Sequence, residues 1–586
     1  MSLRTTTRLT IQAGQGNRSL RYGHWLLACL LLTATLVVYI PVIQHGGFIW
    51  DDDAYVTDNP VLNRPGGFRA LWFYPDATPQ YYPLVFTSFW VEYHLWGLSS
   101  MGYHVTNVLL HVLVAWILWR VLEKLGVKGG YLAALIFALH PVHVESVAWV
   151  TERKNVLSGV FYMAALWSYL RCRAGGIGQA GGEYRWRYYV ISLLFFVCAL
   201  LSKTVTASLP AAVVLLMWWK RGRLGRDDWK DIVRLAPMFV LGVGMGLMTA
   251  WLEKHQVGAE GQDWSLTLVE RFLVAGRALW FYAGKLIWPV SLSFVYTRWQ
   301  VSQAVWWQYI YPALAAAVVW LLWMLRRRIG LGWLVGVFYF VGTLFPALGF
   351  LNVYPHRFSF VADHFQYLAS LGLLVPACWL LWLMLERWRS WRRWLVVGLL
   401  CVMLSCLGVA TWSQGWVYQG MESLWTDTLR KNPDSFLAHD NLGNLLLSEG
   451  RIDEAMYHYN QVLRIYPDSA EAWNNLSVVM AGRGETQKQI EYCAKALAIR
   501  PDYVDALFNM GNVMLNSDRL VEAEEYYRHA LRFSPKFVLA QNNLGLALMR
   551  QGKTAEAEVA MQEALRADPN NTDMKRSLEI IRGQAK

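Results

Sequence analysis

The sequence predicts an all-α protein in two parts, a polytopic helix bundle in a membrane followed by an α-solenoid. Three observations carry this. Of the 586 residues, 55% are hydrophobic and only 16% charged, whereas soluble domains carry about 25% charged residues. The apolar residues gather into segments of bilayer-crossing length, separated by short basic runs. Towards the C-terminus, prolines recur every 34 residues, at 433, 467, 501, 535 and 569, the mark of stacked helical repeats.

A span needs about 20 apolar residues, fewer where it is buried among other helices. Residues 1–23 read as a cytoplasmic tail carrying Arg4, Arg8, Arg18 and Arg21, and residues 24–412 as the membrane domain. About 11 spans fit, at 24–44, 104–122, 131–148, 155–171, 188–202, 204–219, 235–252, 308–325, 331–350, 367–385 and 393–412. The first has basic flanks but no small-residue cleavage site, so it reads as a retained anchor. Basic runs follow alternate spans: Arg120 to Lys128, Arg171 to Arg187, Lys220 to Arg234, Arg326 to Arg328 and Arg387 to Arg393. Such runs stay cytoplasmic. The net charge of +12 therefore reflects topology, not nucleic-acid binding; the N-terminus lies inside and the C-terminus outside. Residues 271–290 are apolar enough to cross, yet crossing would misplace Arg326 to Arg328. They are expected to be re-entrant or interfacial and packed against protein. Most of the seven cysteines lie in apolar segments, so no disulfide framework is expected.

Residues 413–432 read as a linker helix and 433–586 as a repeat domain of about four units. Small residues recur in phase with the prolines, at Gly443, Ser477, Gly511 and Gly545 in the first helix and Ala455, Ala523 and Ala557 in the second, where Gln489 departs from the pattern. The period is that of the tetratricopeptide repeat. Small residues let paired helices approach, and each proline ends a helix before the next begins. The concave face of such an array holds a peptide or protein segment; the alternative is a structural cap or dimerisation platform. The repeats carry no catalytic constellation.

On the outer side the topology collects the loop 45–103, the run His140 to Lys154, Lys203 at a tight turn, the loop 253–307 and the stretch Asn352 to Gln366. The loop 45–103 opens with Asp51, Asp52 and Asp53, whose mutual repulsion calls for a proton or cation. They suit a general base or a metal, or form a solvated cluster. In His140-Pro141-Val142-His143-Val144-Glu145 the two histidines and Glu145 suit a metal or, with Arg153 and Lys154, a phosphate; the alternative is satisfied packing groups. Lys203 stands between two apolar runs and needs an anionic partner unless it snorkels. Arg357, Asp363 and His364 add further polar groups. No nucleotide-binding loop or nucleophile elbow is present.

Trp50-Asp51-Asp52, His140-Pro141-Val142-His143-Val144-Glu145, Leu201-Ser202-Lys203 and Ala362-Asp363-His364 leading into Tyr367-Leu368 resemble the transmembrane and tetratricopeptide-repeat O-mannosyltransferases (the TMTC family) and their bacterial relatives, over nearly the whole chain. The resemblance implies a type C glycosyltransferase, inverting, that moves a sugar, mannose among the candidates, from a polyprenyl-phosphate carrier to a serine or threonine hydroxyl. It implies Asp51 or Asp52 as base, with Asp53, Glu145 and Asp363 in support. It places the donor phosphate among His140, His143, Arg153, Lys154, Lys203, Arg357 and His364; relatives often carry arginine where this chain has His364. The expected partners are the lipid-linked donor, membrane lipid and an acceptor polypeptide on the repeats, and a divalent metal is left open as cofactor. The expected location is a bacterial inner membrane with the repeats periplasmic. A channel would need ions spread through the membrane depth, and a non-catalytic scaffold would tolerate substitution of Asp51, Asp52, His140 and Lys203.

Overall fold

The computed structural model describes residues 23–173, 175–177, 183–255, 257–259, 261, 264–387, 391–567, 569 and 571–584. The tail with Arg4, Arg8, Arg18 and Arg21 lies outside the described residues, as does Arg389. The chain forms two compact units, Met1–Asn432 and Pro433–Lys586.

The first unit opens with α1 (Gly23–Val38) and α2 (Ile40–His45). Residues 45–103, read from sequence as a loop, are largely helical: a π-turn at Asp53–Thr57, then α3 (Gly67–Phe73) and α4 (Pro83–Trp96). Pro83 starts α4 at the position where its missing N–H costs nothing, and Val85, Phe86 and Phe89 bury one face. Next come α5 (Ser100–Lys124), α6 (Gly130–Leu139), α7 (Val144–Ala148), α8 (Arg153–Tyr169), α9 (Trp186–Leu200), α10 (Leu209–Arg221), α11 (Trp229–Arg234) and α12 (Ala236–His255). The expected span 131–148 is broken at His140-Pro141, with 58° between its two halves, as a proline that cannot donate to the ladder dictates. Asn107, on the buried face of α5, holds the break by donating to the Val147 carbonyl at 3.1 Å.

After α12 come α13 (Leu268–Ile287), α14 (Ile310–Ile329), α15 (Gly332–Leu344), α16 (Leu371–Arg387), α17 (Trp391–Gly415) and α18 (Met421–Lys431). Of the segment 271–290, residues 271–287 belong to a single helix, α13, with a capping box between Thr267 and Glu270. It is continuous where a re-entrant loop would be broken, and it buries Leu273, Val274, Ala278 and Tyr282 on one side. At α15 and α16 a Cβ on Gly336 or Gly372 would collide with the other's carbonyl oxygen; this small-residue crossing is a device of membrane helices. By length and composition four helices among the described residues are long and apolar enough to cross a bilayer, Ser100–Lys124, Ala236–His255, Trp306–Ile329 and Trp391–Gln419, and the bent α6–α7 pair makes a fifth if it is one span. The remaining expected spans are shorter.

The second unit is an array of helix pairs: α19 (Phe436–Ser448) with α20 (Ile452–Ile465), α21 (Ala470–Gly482) with α22 (Thr486–Ile499), α23 (Val504–Asn516) with α24 (Leu520–Phe533), and α25 (Val538–Arg550) with α26 (Thr554–Ala567), closed by α27 (Thr572–Gln584). Ser435 and Ser469 cap α19 and α21 through their hydroxyls. Two of the in-phase glycines meet an aromatic ring: a Cβ on Gly511 would lie 2.6 Å from Tyr527, and one on Gly443 2.8 Å from Tyr459, while one on Gly545 would lie 3.2 Å from Met561.

Candidate active site

The site is assembled where α2, the α6–α7 bend, α8 and the turn after α9 meet. Trp50 adopts φ +43°, a costly conformation for a bulky residue that persists only where its surroundings enforce it. Its ring stacks on Trp149 at 5.6 Å and meets Phe294 edge-on at 5.4 Å. The consequence lies in the next residue: Asp51 carries its Oδ1 into the interior with no hydrogen-bond partner among the described residues. Burial raises its carboxyl to about 8, against the pull of the Lys154 charge.

The three acids separate into three environments. Asp52 is fully buried, and its Oδ1 accepts from the Thr151 N–H (2.7 Å) and hydroxyl (2.6 Å), its Oδ2 from the Ile49 N–H (2.8 Å). Burial pushes it up to about 7 against these donors. Asp53 is exposed and accepts from the Ala54 N–H. Asp51 alone has an uncommitted oxygen inside.

Glu152, which the sequence did not single out, is the centre of the cluster. Lys154 Nζ lies 2.8 Å from its Oε1, Lys203 Nζ 3.1 Å from its Oε2, and His364 Nε2 3.9 Å from Oε1. Burial opposes its ionisation, yet His364, Lys154 and Lys203 together hold it below the usual carboxylate range. Lys203 also donates to Asn155 Oδ1 at 2.8 Å, and Asn155 donates to the His364 carbonyl. His364 donates from Nδ1 to Glu145 Oε1 at 2.7 Å, so it stands between two carboxylates. Lys154 faces the rings of Tyr55 and Trp149, with centroids at 5.7 and 5.8 Å. The signal for Glu152 was its place in Thr151-Glu152-Arg153-Lys154, an acid followed by two bases at the head of an apolar helix.

Three expected phosphate ligands, Arg153, His140 and His143, are engaged away from the cluster. Arg153 is fully buried and spends its donors on Glu92, on Asn107 Oδ1 (2.8 Å) and on the Tyr103 carbonyl (2.8 Å), its guanidinium over Phe89. Its ion pair is with Glu92, not with the cluster around Glu152. His140 donates from Nε2 to the Leu286 carbonyl (3.0 Å) and accepts the Val142 N–H at Nδ1, which fixes the bend. His143 is also away from the cluster, its ring 4.4 Å from Phe137 and 5.2 Å from Tyr367. Arg357 lies over Phe358. Asp363 accepts from the Tyr296 hydroxyl at 2.8 Å and is pushed up to about 8 by burial and by Glu145. Lys154, Lys203, His364 and Glu145 come together around Glu152, with Asp363 close enough to feel the Glu145 charge; His140, His143 and Arg153 are engaged elsewhere. Among the described residues no three His, Cys, Asp or Glu side chains are arranged to hold a metal ion.

A cavity of about 270 Å³ opens elsewhere in the unit, lined by Leu118, Met163, Leu166, Leu215, Val335 and Val375 among other apolar groups. Along α8, Met163 and Leu166 are 9 and 12 residues beyond Lys154, about 14 and 18 Å at helical rise. It is a place for hydrocarbon, not for acid–base chemistry.

A helical membrane unit with an acid–cation cluster, joined to a tetratricopeptide array, defines the class. The profile of the Dolichyl-phosphate-mannose-protein mannosyltransferase family matches residues 79–243, and tetratricopeptide-repeat profiles match 443–484, 504–537 and 538–571. The chain is 25% identical to human Protein O-mannosyl-transferase TMTC1, covering 74% of this chain and 54% of that protein. It is also 25% identical to Drosophila melanogaster Protein O-mannosyl-transferase Tmtc3, with the same coverages. The resemblance to these membrane O-mannosyl-transferases thus extends over three quarters of the chain, which spans about half the length of the curated relatives it matches. Among solved structures, MamA is 24% identical over 25% of this chain and 86% of its own, with a TM-score of 0.23.

Proposed function

We propose that this protein is a membrane glycosyltransferase of the type C class that moves a sugar, mannose by analogy with its relatives' names, from a polyprenyl-phosphate carrier to a serine or threonine hydroxyl of a polypeptide. The observation that carries this is the convergence of Lys154, Lys203 and His364 on Glu152, beside the uncommitted oxygen of Asp51. A carboxylate next to a fixed group of cations is what transfer from a phosphate ester requires. Asp51 takes the proton of the acceptor hydroxyl. The hydroxyl oxygen bonds to the anomeric carbon from one face as the bond from that carbon to the phosphate oxygen breaks on the other, inverting its configuration. The electron pair leaves with the polyprenyl phosphate, whose charge Lys154, Lys203 and the His364 N–H stabilise in a water-poor site. The apolar cavity along α8 has room for the hydrocarbon of a lipid-linked donor. The site faces the non-cytoplasmic side, with the N-terminus inside and the repeats in the periplasm of a bacterium.

The test is transfer from radiolabelled polyprenyl-phosphate mannose to a serine- and threonine-containing peptide by the full chain in lipid nanodiscs. Asp51→Asn is expected to lower the rate by about 10²–10⁴-fold, the worth of general-base help. Undiminished transfer overturns the assignment of the base, and no transfer by the unaltered protein from any polyprenyl-phosphate sugar overturns the activity.

A further inference from the structure

His364 divides two chemistries. Its Nε2 faces Glu152 Oε1 at 3.9 Å, on the side of Lys154 and Lys203, while its Nδ1 donates to Glu145 Oε1 at 2.7 Å. The Glu145 side holds acids and aromatic rings. Glu145 and Asp363 are each 3% exposed, and each keeps one oxygen, Oε2 and Oδ1, without a hydrogen-bond partner among the described residues. Asp363 precedes His364 in the chain and lies in the field of the Glu145 charge. Its other oxygen is taken by the Tyr296 hydroxyl at 2.8 Å. The Trp149 ring meets His364 edge-on at 5.7 Å, and its buried Nε1–H has no acceptor among the described residues. Phe294 stands against Trp149 at 4.9 Å. Trp425, whose buried Nε1–H is unspent in the same way, stands against Phe294 at 5.5 Å.

A buried polar atom left without a partner costs more than a made hydrogen bond returns, so a cluster of them calls for a ligand or water. Two carboxylate oxygens need donors, and two indole N–H groups need acceptors. A hydroxyl is both at once, and a ring bearing several hydroxyls satisfies the whole set. Its polarised C–H bonds meet the negative faces of the aromatic rings. Two acids repel a phosphate, and hydrocarbon leaves every one of these atoms unpaired. A metal ion finds no set of three His, Cys, Asp or Glu ligands among the described residues. The cations on the other side of His364 suit the phosphate instead. A glycosyl phosphate, anion at one end and polyol at the other, matches the two sides of the imidazole in order.

We propose that Glu145 Oε2, Asp363 Oδ1 and the Trp149 indole N–H bind the hydroxyls of a hexose, and that these groups, not the lysines, choose which sugar is held. That the hexose is the donor's rests on the transferase reading above; the pocket itself stands on the unpaired groups.

The experiment measures binding without an acceptor, so no sugar is transferred. The full chain in nanodiscs is titrated by calorimetry with polyprenyl-phosphate mannose and, separately, with the methyl phosphodiester of the same carrier, which has the same charge and no hydroxyl. The unaltered protein is expected to hold the mannosyl carrier about tenfold or more tighter, the worth of one or two hydrogen bonds. Asp363→Asn and Trp149→Phe should each erase most of that preference and leave affinity for the methyl carrier unchanged, whereas Glu152→Gln should weaken both. Among monodeoxy mannoses on the same carrier, the one lacking the hydroxyl read by Asp363 should lose nothing further in Asp363→Asn, the mark of a shared bond. Equal affinity of the unaltered protein for the two carriers overturns the proposal. So does full preference for mannose in the folded variants, the result if water alone fills the groups, and so does equal weakening of both carriers, the mark of a merely structural role. The deoxy sugars need no variant: binding indifferent to the loss of each hydroxyl in turn overturns the proposal even where a variant fails to fold. A preference for the mannosyl carrier without transfer would leave the pocket and remove the reaction; transfer without that preference would do the reverse.

Discussion

Lys203 Nζ lies 3.1 Å from Glu152 Oε2, an ion pair closed across 51 residues of chain. The same carboxylate holds Lys154 through its other oxygen. One buried anion thus holds two ammonium groups side by side, the arrangement that the proposed departure of a phosphate calls on.

Glu152→Gln is therefore expected to loosen both lysines. Breaking a buried pair by removing one partner costs about 3–5 kcal/mol, so the melting temperature falls. Transfer should lose affinity for the lipid-linked donor, raising KM more than it lowers kcat, because Glu152 positions the cations without touching the reacting atoms. An unchanged KM in a folded variant would refute the positioning role.

In the proposed mechanism the ionised form of Asp51 is the base, and burial raises its carboxyl to about 8. A raised acid is protonated below its pKa, so only a minority of sites are competent at neutral pH. The rate should climb from about pH 6, be half-maximal at about pH 8 and level off about one unit higher. The residual rate of Asp51→Asn should be flat over that range. A wild-type rate that does not rise with pH would count against Asp51.

Arg153 and Glu92 form a buried pair beneath the site. Arg153→Leu should destabilise the membrane unit by about 3–5 kcal/mol, by stranding Glu92, whereas Glu92→Leu with Arg153→Leu should recover much of the loss. Denaturation followed by tryptophan fluorescence measures both. A double variant no more stable than the single one would show that the pair is not what matters there.

In the repeats, Gly511→Ala places a Cβ against Tyr527. Overpacking of this kind costs about 1–3 kcal/mol, and it should appear as lower melting of the array, with peptide binding weakened no more than the folded fraction. Unaltered melting would mean that the ring moves aside freely.

The repeats were legible because their signal is local and recurrent: Pro467 and Gly443 do the same job as Pro501 and Ser477. The bend at Pro141 was legible for a similar reason. The site was legible in kind only. Asp51, Lys154, Lys203 and His364 are residues of the right chemistry, but nothing local tells that His364 will meet Glu145 across 219 residues. Arg153 misled for the converse reason: its acid, Glu92, is 61 residues away, and a cation already paired reads in sequence like one awaiting a ligand. The segment 45–103 looked like a loop because its helices α3 and α4 are short and joined by turns.

Asp52 ties residue 49 to residue 151 through both of its oxygens, and so decides where its neighbour Asp51 can stand. On the proposed mechanism, replacing either acid slows transfer, one by removing the proton acceptor and the other by letting it drift. Loss of turnover on its own cannot tell a reagent from its clamp; only the shape of the pH profile that survives separates them.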